Sequence, residues 1–257
     1  MIPKIIHYCW LSGDEFPEDI RKCIESWKEI LPDYEFRLWD TKRFNLEDSI
    51  WVKQAFETKK YAFAADYIRL YALYTEGGIY LDSDVMVFKS FNDLLELPYF
   101  LGEDNVHCFE PAIIGAQKGC SWIKDVLDRY QNIPFINNDG TLNMRGLPVV
   151  FHDMLVPKYK FNYTKCVEQF DYSPECINIF PKRWFNSRDY IDWKRYPESY
   201  CSHQFAGTWL KKSPQKKYSL KKILPHSIIN FIYKFHFHLV AKKNIKQIQI
   251  PYKRSKK

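Results

Sequence analysis

The stretch that decides the fold of this chain reads Gly77-Gly78-Ile79-Tyr80-Leu81-Asp82-Ser83-Asp84-Val85-Met86. The glycine pair supplies the stop for a predicted helix over 59–76, and residues 79–81 are a short apolar strand that delivers two carboxylates at its carboxyl end. Side chains at i and i+2 of a strand point to the same side, so we expect Asp82 and Asp84 to converge. Converging carboxylates repel each other unless a cation or a hydrogen-bonding ligand lies between them. Because hard oxygen ligands suit Mg²⁺, Mn²⁺ or Ca²⁺, the stretch predicts a divalent-ion site that can neutralise a diphosphate.

Strands and helices alternate around this stretch, and that order predicts an α/β fold. The predicted strands are 5–10, 34–39, 79–81, 100–102 and 112–115, and the predicted helices are 17–30, 59–76 and 121–130. Ligands of open α/β sheets bind at the carboxyl ends of strands, which is where the two aspartates fall. The range 134–182 is predicted to be loop-rich.

Asp66 and Arg69 are spaced as neighbours on one face of the 59–76 helix. They form either a surface ion pair worth a few tenths of a kcal/mol or a polar pair that faces the cleft and holds sugar hydroxyls. The residues around them are apolar, which argues against a solvated face. Both interpretations stay open at this point.

Two further residues, Trp10 and His203, are candidates for the site. Trp10, at the end of the first strand, can belong to the core or can stack on a planar base, an interaction worth about 1–3 kcal/mol. His203 can be an ordinary polar residue, or its neutral imidazole can complete the coordination of a Mn²⁺-type ion that two carboxylates leave open.

Charge divides the chain into two predicted parts, a domain over 1–210 and a basic extension over 211–257. The net charge is +7, yet the extension contains 14 Lys and Arg and no acid, so residues 1–210 carry −7. The extension includes a predicted amphipathic helix over 223–241. Such a segment is typical of proteins that bind an anionic surface, either lipid or nucleic acid.

Composition bounds the class of protein. Hydrophobic residues make up 46% and aromatic residues 18% of the 257 residues, which supplies a sizeable core and argues against a chain that is disordered by default. The seven cysteines are scattered and form no CxxC pair, which predicts neither a zinc site nor a disulfide framework. Reduced thiols, with no visible signal peptide or long apolar run, predict a cytoplasmic location.

With these segments in place, the chain resembles glycosyltransferase family 32. These DXD-motif sugar transferases include bacterial capsule and lipopolysaccharide enzymes and yeast mannosyltransferases, and they are distantly similar to the glucosylating domains of large clostridial toxins. The matching segments are 2–10, 23–27, 32–35, 60–70, 77–84 and 203–209. The resemblance implies a GT-A type nucleotide-diphosphosugar transferase fold with a mixed central sheet, a Mn²⁺ or Mg²⁺ cofactor, and transfer with retention at the anomeric carbon.

The resemblance also implies roles for single residues. Asp84 would bind the metal directly, and Asp82 would contact the ribose or the donor sugar and help to fix the ion. The other implied donor contacts are Asp66 and Arg69 at the sugar hydroxyls, Tyr80 lining the site, Cys9 and Trp10 facing the base, and Trp209 near the diphosphate. His203 resembles a late metal ligand, although the family often has His-His before Phe-Ala-Gly-Ser-Trp where this chain has Gln204 and Thr208.

The implied partners are a nucleotide-diphosphosugar donor and a glycan or lipid-linked acceptor in surface polysaccharide synthesis, at the inner face of a bacterial plasma membrane. Two alternatives belong to other classes. Aspartate-nucleophile phosphohydrolases also place D-x-D after a strand. Their motif has Thr or Val at its fifth position, where this chain has Met86. The basic extension alone could bind nucleic acid. No nucleic-acid-binding motif accompanies it, and nucleic acid is not expected as a partner.

Overall fold

The central sheet has five strands and gathers the segments predicted as strands. The computed structural model describes residues 1–104, 108–185 and 196–206. Its first six strands are β1 (Ile5–Cys9), β2 (Glu35–Trp39), β3 (Gly78–Leu81), β4 (Val85–Val87), β5 (Tyr99–Glu103) and β6 (Phe109–Ala116). All but β4 join in the order β2-β1-β3-β6-β5. Because β1 is parallel to β2 and β3, whereas β6 is antiparallel to β3 and β5, the predicted α/β class with a mixed central sheet is confirmed.

Helices pack around this sheet and hold its central strands. They are α1 (Glu18–Ile30), α2 (Ile50–Glu57), α3 (Tyr61–Glu76), α4 (Ser121–Arg129), α5 (Leu147–Leu155) and the short α6 (Lys182–Phe185). The helices α1, α3 and α4 occupy the predicted helical ranges, whereas α2 and α5 are absent from the predicted elements. Contacts of α3 reach β1, β3 and β6 as well as α2 and α4, so the predicted 59–76 helix lies at the centre of the packing.

The range 134–182, predicted to be loop-rich, also contains regular elements that the prediction missed. This range contains α5 and a parallel pair of strands, β7 (Lys160–Tyr163) and β8 (Cys176–Ile179). All four residues of β8 are buried, and β8 contacts β5. Strands of four residues are too short to show a clear alternation, and a strand buried on both sides has no polar face to mark it.

The glycine pair after α3 is required by two close backbone approaches. Gly77 has φ +71°, and a Cβ there would lie 2.7 Å from the backbone nitrogen of Lys118. Gly78 has φ +117°, and a Cβ there would lie 2.8 Å from the carbonyl oxygen of Ile5 on β1. Glycine adopts these left-handed conformations without a side-chain clash. The pair therefore lets the chain leave α3 and enter β3 directly against β1.

A two-stranded ribbon follows the aspartate pair and is fastened to α1. In this ribbon β4 is antiparallel to β9 (Cys201–His203). The indole Nε1 of Trp27 donates a hydrogen bond of 2.6 Å to the carbonyl oxygen of Val85, and the Val87 N–H donates one of 3.0 Å to Ser26 Oγ. Side chains of α1 thus fix the strand that begins one residue after Asp84.

Several predictions fall on parts of the chain outside the described residues. They are the basic extension 211–257, its helix over 223–241, the boundary at 210 and the position of Trp209. Among the described residues, the structure contains no helix whose length and apolar character would let it cross a membrane.

Candidate active site

Asp82 and Asp84 lie directly after the predicted strand, in a tight turn between β3 and β4 that does not continue the pleat of the strand. The strand β3 ends at Leu81, and the Val85 N–H donates a 3.0 Å hydrogen bond to the carbonyl oxygen of Asp82. The Asp82 N–H donates one of 2.8 Å to the carbonyl oxygen of Ala112 on β6. The alternation argument fails because a turn, rather than a pleated strand, sets the side-chain directions. The turn nevertheless brings the two carboxylates together.

His203 completes a cluster with the two aspartates. It ends β9 opposite Val85, so the pairing of the ribbon carries its imidazole to the turn. One ligand atom each from Asp82, Asp84 and His203 lies within 4.8 Å of the other two, and His203 Nε2 is 3.4 Å from Asp84 Oδ1. Two carboxylates and an imidazole are donors that fit a divalent ion of the Mn²⁺ type.

Asp84 is held from the segment that follows β9. The Ala206 N–H donates a 2.8 Å hydrogen bond to Asp84 Oδ2, and the Gln204 N–H donates one of 2.9 Å to the Asp84 carbonyl oxygen. Phe205 between them has φ +50°, a left-handed conformation that is costly for a bulky residue and is typical of functional sites. Burial disfavours the Asp84 carboxylate, but the hydrogen bond and charge of His203 outweigh it and lower the Asp84 pKa.

Arg69 bridges Asp66 and Asp82 from below the turn. Its Nη2 lies 3.0 Å from Asp66 Oδ1 and 3.2 Å from Asp82 Oδ1, and its Nη1 donates a 2.7 Å hydrogen bond to the carbonyl oxygen of Pro111. The guanidinium also lies 4.6 Å from the ring centroid of Tyr80. The Arg69 side chain is 5% exposed, so the surface-pair interpretation is wrong. Its role toward a sugar stays a prediction.

Burial sets the protonation of this group of carboxylates. It raises the pKa of Asp66 to about 7, with the charge of Arg69 acting in the opposite direction. Burial also raises the pKa of Asp82, again against Arg69. The Tyr80 hydroxyl donates a 3.0 Å hydrogen bond to Asp82 Oδ1, and Tyr80 is only 1% exposed. The structure therefore places Tyr80 beneath Asp82, where it supports that carboxylate.

Three further residues were predicted to contact the donor, namely Cys9, Trp10 and Trp209. Cys9 is buried, and burial raises the pKa of its thiol to about 12. Trp10 is half-buried beyond the end of β1, where its Nε1 donates a 2.7 Å hydrogen bond to the carbonyl oxygen of Asp14 and its ring lies 4.9 Å from that of Phe16. Trp209 lies outside the described residues. The structure thus places Cys9 within the core at the end of β1 and leaves only part of Trp10 exposed.

Two residues near the site are missing from the predicted set. Glu110 on β6 approaches the cluster, with Oε1 3.4 Å from His203 Nδ1, and it is 3% exposed. Trp27 reaches the ribbon from α1. The available signal for Glu110 was a lone acid at the start of the apolar strand that contains 112–116, because a buried carboxylate needs a partner. No local pattern distinguishes Trp27 from an ordinary core tryptophan.

Comparison with known proteins matches the part of the chain that contains the aspartate pair. Residues 17–101 match the family model described as the glycosyltransferase sugar-binding region containing the DXD motif. Inositol phosphoceramide mannosyltransferase 3 of Schizosaccharomyces pombe is 31% identical over 137 residues, which are 52% of this chain and 37% of that protein. Mannosyl phosphorylinositol ceramide synthase SUR1 of Saccharomyces cerevisiae is 28% identical over 161 residues, 59% of this chain and 42% of that protein. The matched region thus spans about two fifths of these curated relatives. The family model is described as a glycosyltransferase region and the first relative is named a mannosyltransferase, in agreement with the class of enzyme predicted from the sequence.

Two of the solved structures that are similar to this chain are glycosyltransferases, and both match with a TM-score below 0.5. The PaToxG glycosyltransferase has a TM-score of 0.47 at 24% identity, covering 61% of this chain and 68% of its own. The apo form of the glycosyltransferase GlyE of Streptococcus pneumoniae has a TM-score of 0.43 at 11% identity, covering 95% of this chain and 64% of its own.

Proposed function

We propose that this chain is a metal-dependent, retaining glycosyltransferase with a GT-A type fold, which moves a hexose from a nucleotide-diphosphosugar to an acceptor. The observation that carries the proposal is the meeting of Asp82, Asp84 and His203. Both aspartates lie in the segment that matches the DXD family model. A cluster of two aspartates and one histidine would by itself fit several classes of enzyme. The family match restricts the proposed reaction to sugar transfer.

The chemistry follows from the leaving group. Departure of a nucleoside diphosphate builds negative charge on phosphate oxygens, and a bound divalent ion supplies the neutralising charge. Asp84, Asp82 and His203 would hold that ion. Arg69 keeps Asp82 oriented through the 3.2 Å contact, so the carboxylate is placed before the ligand arrives. Because the aspartates would hold the ion, they would not be available as the acid and base of a glycosidase.

Mannose is the donor sugar to test first. The two yeast relatives carry mannosyl groups in their names, and inositol phosphoceramide is the acceptor named for one of them. Asp66 and Arg69 would hold sugar hydroxyls, and the exposed part of Trp10 would stack on the base. We propose a glycan or lipid-linked acceptor in surface polysaccharide synthesis, of capsule or lipopolysaccharide type.

The basic extension supports a place for this reaction. With 14 Lys and Arg and no acid over 211–257, it would be attracted to an anionic membrane surface. We place the protein at the cytoplasmic face of a membrane, where lipid-linked acceptors are available. Binding to anionic liposomes, with none to neutral ones, is the expected result.

Hydrolysis of nucleotide sugars tests the proposed activity. The full chain is incubated with nucleotide-diphosphate derivatives of mannose, glucose, galactose and N-acetylhexosamines, with added Mn²⁺ or Mg²⁺ and with chelator. We expect metal-dependent release of nucleoside diphosphate from one of them. Asp84→Asn should remove most of this release and weaken Mn²⁺ uptake, whereas Asp19→Asn, on an exposed position of α1, should change neither.

Three outcomes would contradict the proposal. A folded protein that takes up no divalent ion and cleaves no nucleotide sugar is not a metal-dependent glycosyltransferase. Turnover of a phosphate monoester without nucleotide-sugar cleavage would favour the phosphohydrolase alternative. Nucleic-acid binding with neither activity would favour the interpretation based on the extension.

A further inference from the structure

We propose that Glu110 is a positioning residue that fixes the orientation and tautomer of His203, so that His203 Nε2 faces the two aspartates. This inference rests on the proposed metal site and adds a residue to it. Glu110 lies on β6, whereas His203 lies on β9, so the contact joins the central sheet to the ribbon.

The imidazole of His203 lies between two carboxylates. Its Nδ1 is 3.4 Å from Glu110 Oε1, and its Nε2 is 3.4 Å from Asp84 Oδ1. The ring of Phe205 covers one face of the imidazole, with 4.0 Å between ring centroids and 28° between planes. Rotation of the imidazole is therefore restricted on three sides, and each nitrogen has a distinct neighbour.

Glu110 is itself fixed. The Ala112 N–H donates a 3.2 Å hydrogen bond to Glu110 Oε1, the same oxygen that faces His203. Glu110 is 3% exposed, so its carboxylate depends on protein groups rather than on bulk water for hydrogen bonds. A rigid acceptor on a strand is thus aimed at the imidazole.

One nitrogen of His203 has no hydrogen bond of regular geometry to the residues that the structure describes. Among the described residues, Nδ1 is buried and has no such partner, and Glu110 is the carboxylate that faces it. A histidine that binds a metal through one nitrogen generally donates the N–H of the other nitrogen to a carboxylate, a carbonyl or water. Contacts of this kind are often long before the ligand binds and shorten afterwards. The Nδ1–H tautomer would satisfy Glu110 and leave the Nε2 lone pair directed at the cluster.

The alternative is that Glu110 and His203 only join β6 to β9. Both interpretations predict some loss of stability when Glu110 is replaced. They differ in two quantities, the affinity for Mn²⁺ and the tautomer of His203, because a purely structural contact does not determine either one.

The first test measures Mn²⁺ binding by the full chain, from the electron paramagnetic resonance signal of free Mn²⁺ in a titration. Glu110→Met removes the acceptor while keeping a side chain of similar length, and we expect a loss of affinity of about 10–100-fold. Glu110→Gln keeps an oxygen acceptor and should lose less. In the double variant Glu110→Met with His203→Ala, the loss should not exceed that of His203→Ala alone, because both changes act through the same ligand.

Asp125→Asn is the matched control, because Asp125 pairs with Lys158 on another part of the surface and should leave Mn²⁺ affinity unchanged. Circular dichroism confirms that each variant is folded. Should Glu110→Met unfold, Glu110→Gln and the tautomer measurement still decide the question.

The second test reads the tautomer by long-range ¹H–¹⁵N spectra of histidine-labelled, Mg²⁺-loaded protein, with the His203 signal assigned by its loss in His203→Gln. We expect a protonated Nδ1. A protonated Nε2, or equal Mn²⁺ affinity in wild type and Glu110→Met, would overturn the role of Glu110 and leave the proposed function standing. A wild-type protein that binds neither ion would overturn both.

Discussion

Arg69 shows how a single residue organises this site. It contacts Asp66 on its own helix, Asp82 in the turn and the backbone of Pro111 on β6. Arginine presents five donors in a fixed plane, so one guanidinium reaches all three groups, whereas lysine offers three donors on a single nitrogen. Arg69 therefore links α3, the aspartate turn and the central sheet.

Replacing Arg69 should destabilise the fold as well as the site. Arg69→Met leaves the buried Asp66 and the half-buried Asp82 without their common cation, and loss of one partner from a buried ion pair lowers the free energy of unfolding by about 3–5 kcal/mol. Urea denaturation measures this loss. Lys53→Met is the control, since it breaks an exposed pair with Glu47 and should have a far smaller effect. Equal effects of the two changes would show that Arg69 is not a structural centre.

At the scale of elements, α1 acts on the site without touching it. Its Trp27 and Ser26 bond to the backbone of β4, and β4 follows Asp84 directly. The ribbon has only three residues in each strand, so it has few hydrogen bonds of its own to set its position. The helix supplies the missing constraints.

Trp27→Phe tests this dependence. The change removes the hydrogen bond to Val85, worth about 1 kcal/mol, and we expect a drop in Mn²⁺ affinity of roughly tenfold, the size typical of outer-shell changes. Trp122→Phe makes the same change of volume at an equally buried tryptophan whose Nε1 has no hydrogen bond among the described residues. Isothermal titration with Mn²⁺ should separate the two variants. An identical affinity for both would rule out a role for α1 in placing the turn.

The junction between α3 and β3 gives a second prediction at this scale. Alanine at Gly78 or at Gly13 meets an unfavourable left-handed φ, since these residues have φ of +117° and +75°, and the value at Gly78 lies further from the left-handed minimum of an L-residue. At Gly13 a Cβ has no neighbour within 4 Å, whereas at Gly78 it lies 2.8 Å from the carbonyl oxygen of Ile5. We expect Gly78→Ala to lower the free energy of unfolding by about 1–3 kcal/mol more than Gly13→Ala does, because a methyl group added to a filled space destabilises a protein by this amount. Thermal and urea unfolding measure the difference, and a difference near zero would show that β1 and β3 can separate to make room.

The whole molecule combines a mildly acidic body with a strongly basic extension. Residues 1–210 have 24 basic and 31 acidic residues, so the excess positive charge belongs to 211–257. Attraction of basic residues to anionic lipid is worth about 1 kcal/mol for each Lys or Arg near the surface and is screened by salt. The charge distribution thus predicts an orientation in which the extension faces the lipid.

Flotation with liposomes tests that orientation in the full chain. The variant replaces Lys216, Lys217, Lys221 and Lys222 by Ser. We expect it to lose most of its flotation with anionic liposomes at low salt. The control replaces four exposed lysines of the body by Ser, namely Lys28, Lys42, Lys118 and Lys165, and should float like the wild type. Equal flotation of both variants would remove the basis for membrane attachment through the extension.

The amino-acid sequence by itself determined the alternation of strands and helices, the stop at Gly77-Gly78 and the presence of two neighbouring acids where a sheet strand ends. Each of these is a local property, since periodicity, glycine conformation and residue type depend on a few consecutive residues. Tertiary structure alone decided that the acids lie in a turn, that Arg69 points inward to both Asp66 and Asp82, and that Glu110 faces His203. Those facts depend on strand order and register between segments far apart in the chain. A local pattern shows which face of an element is apolar, but it does not show which distant side chain will meet it.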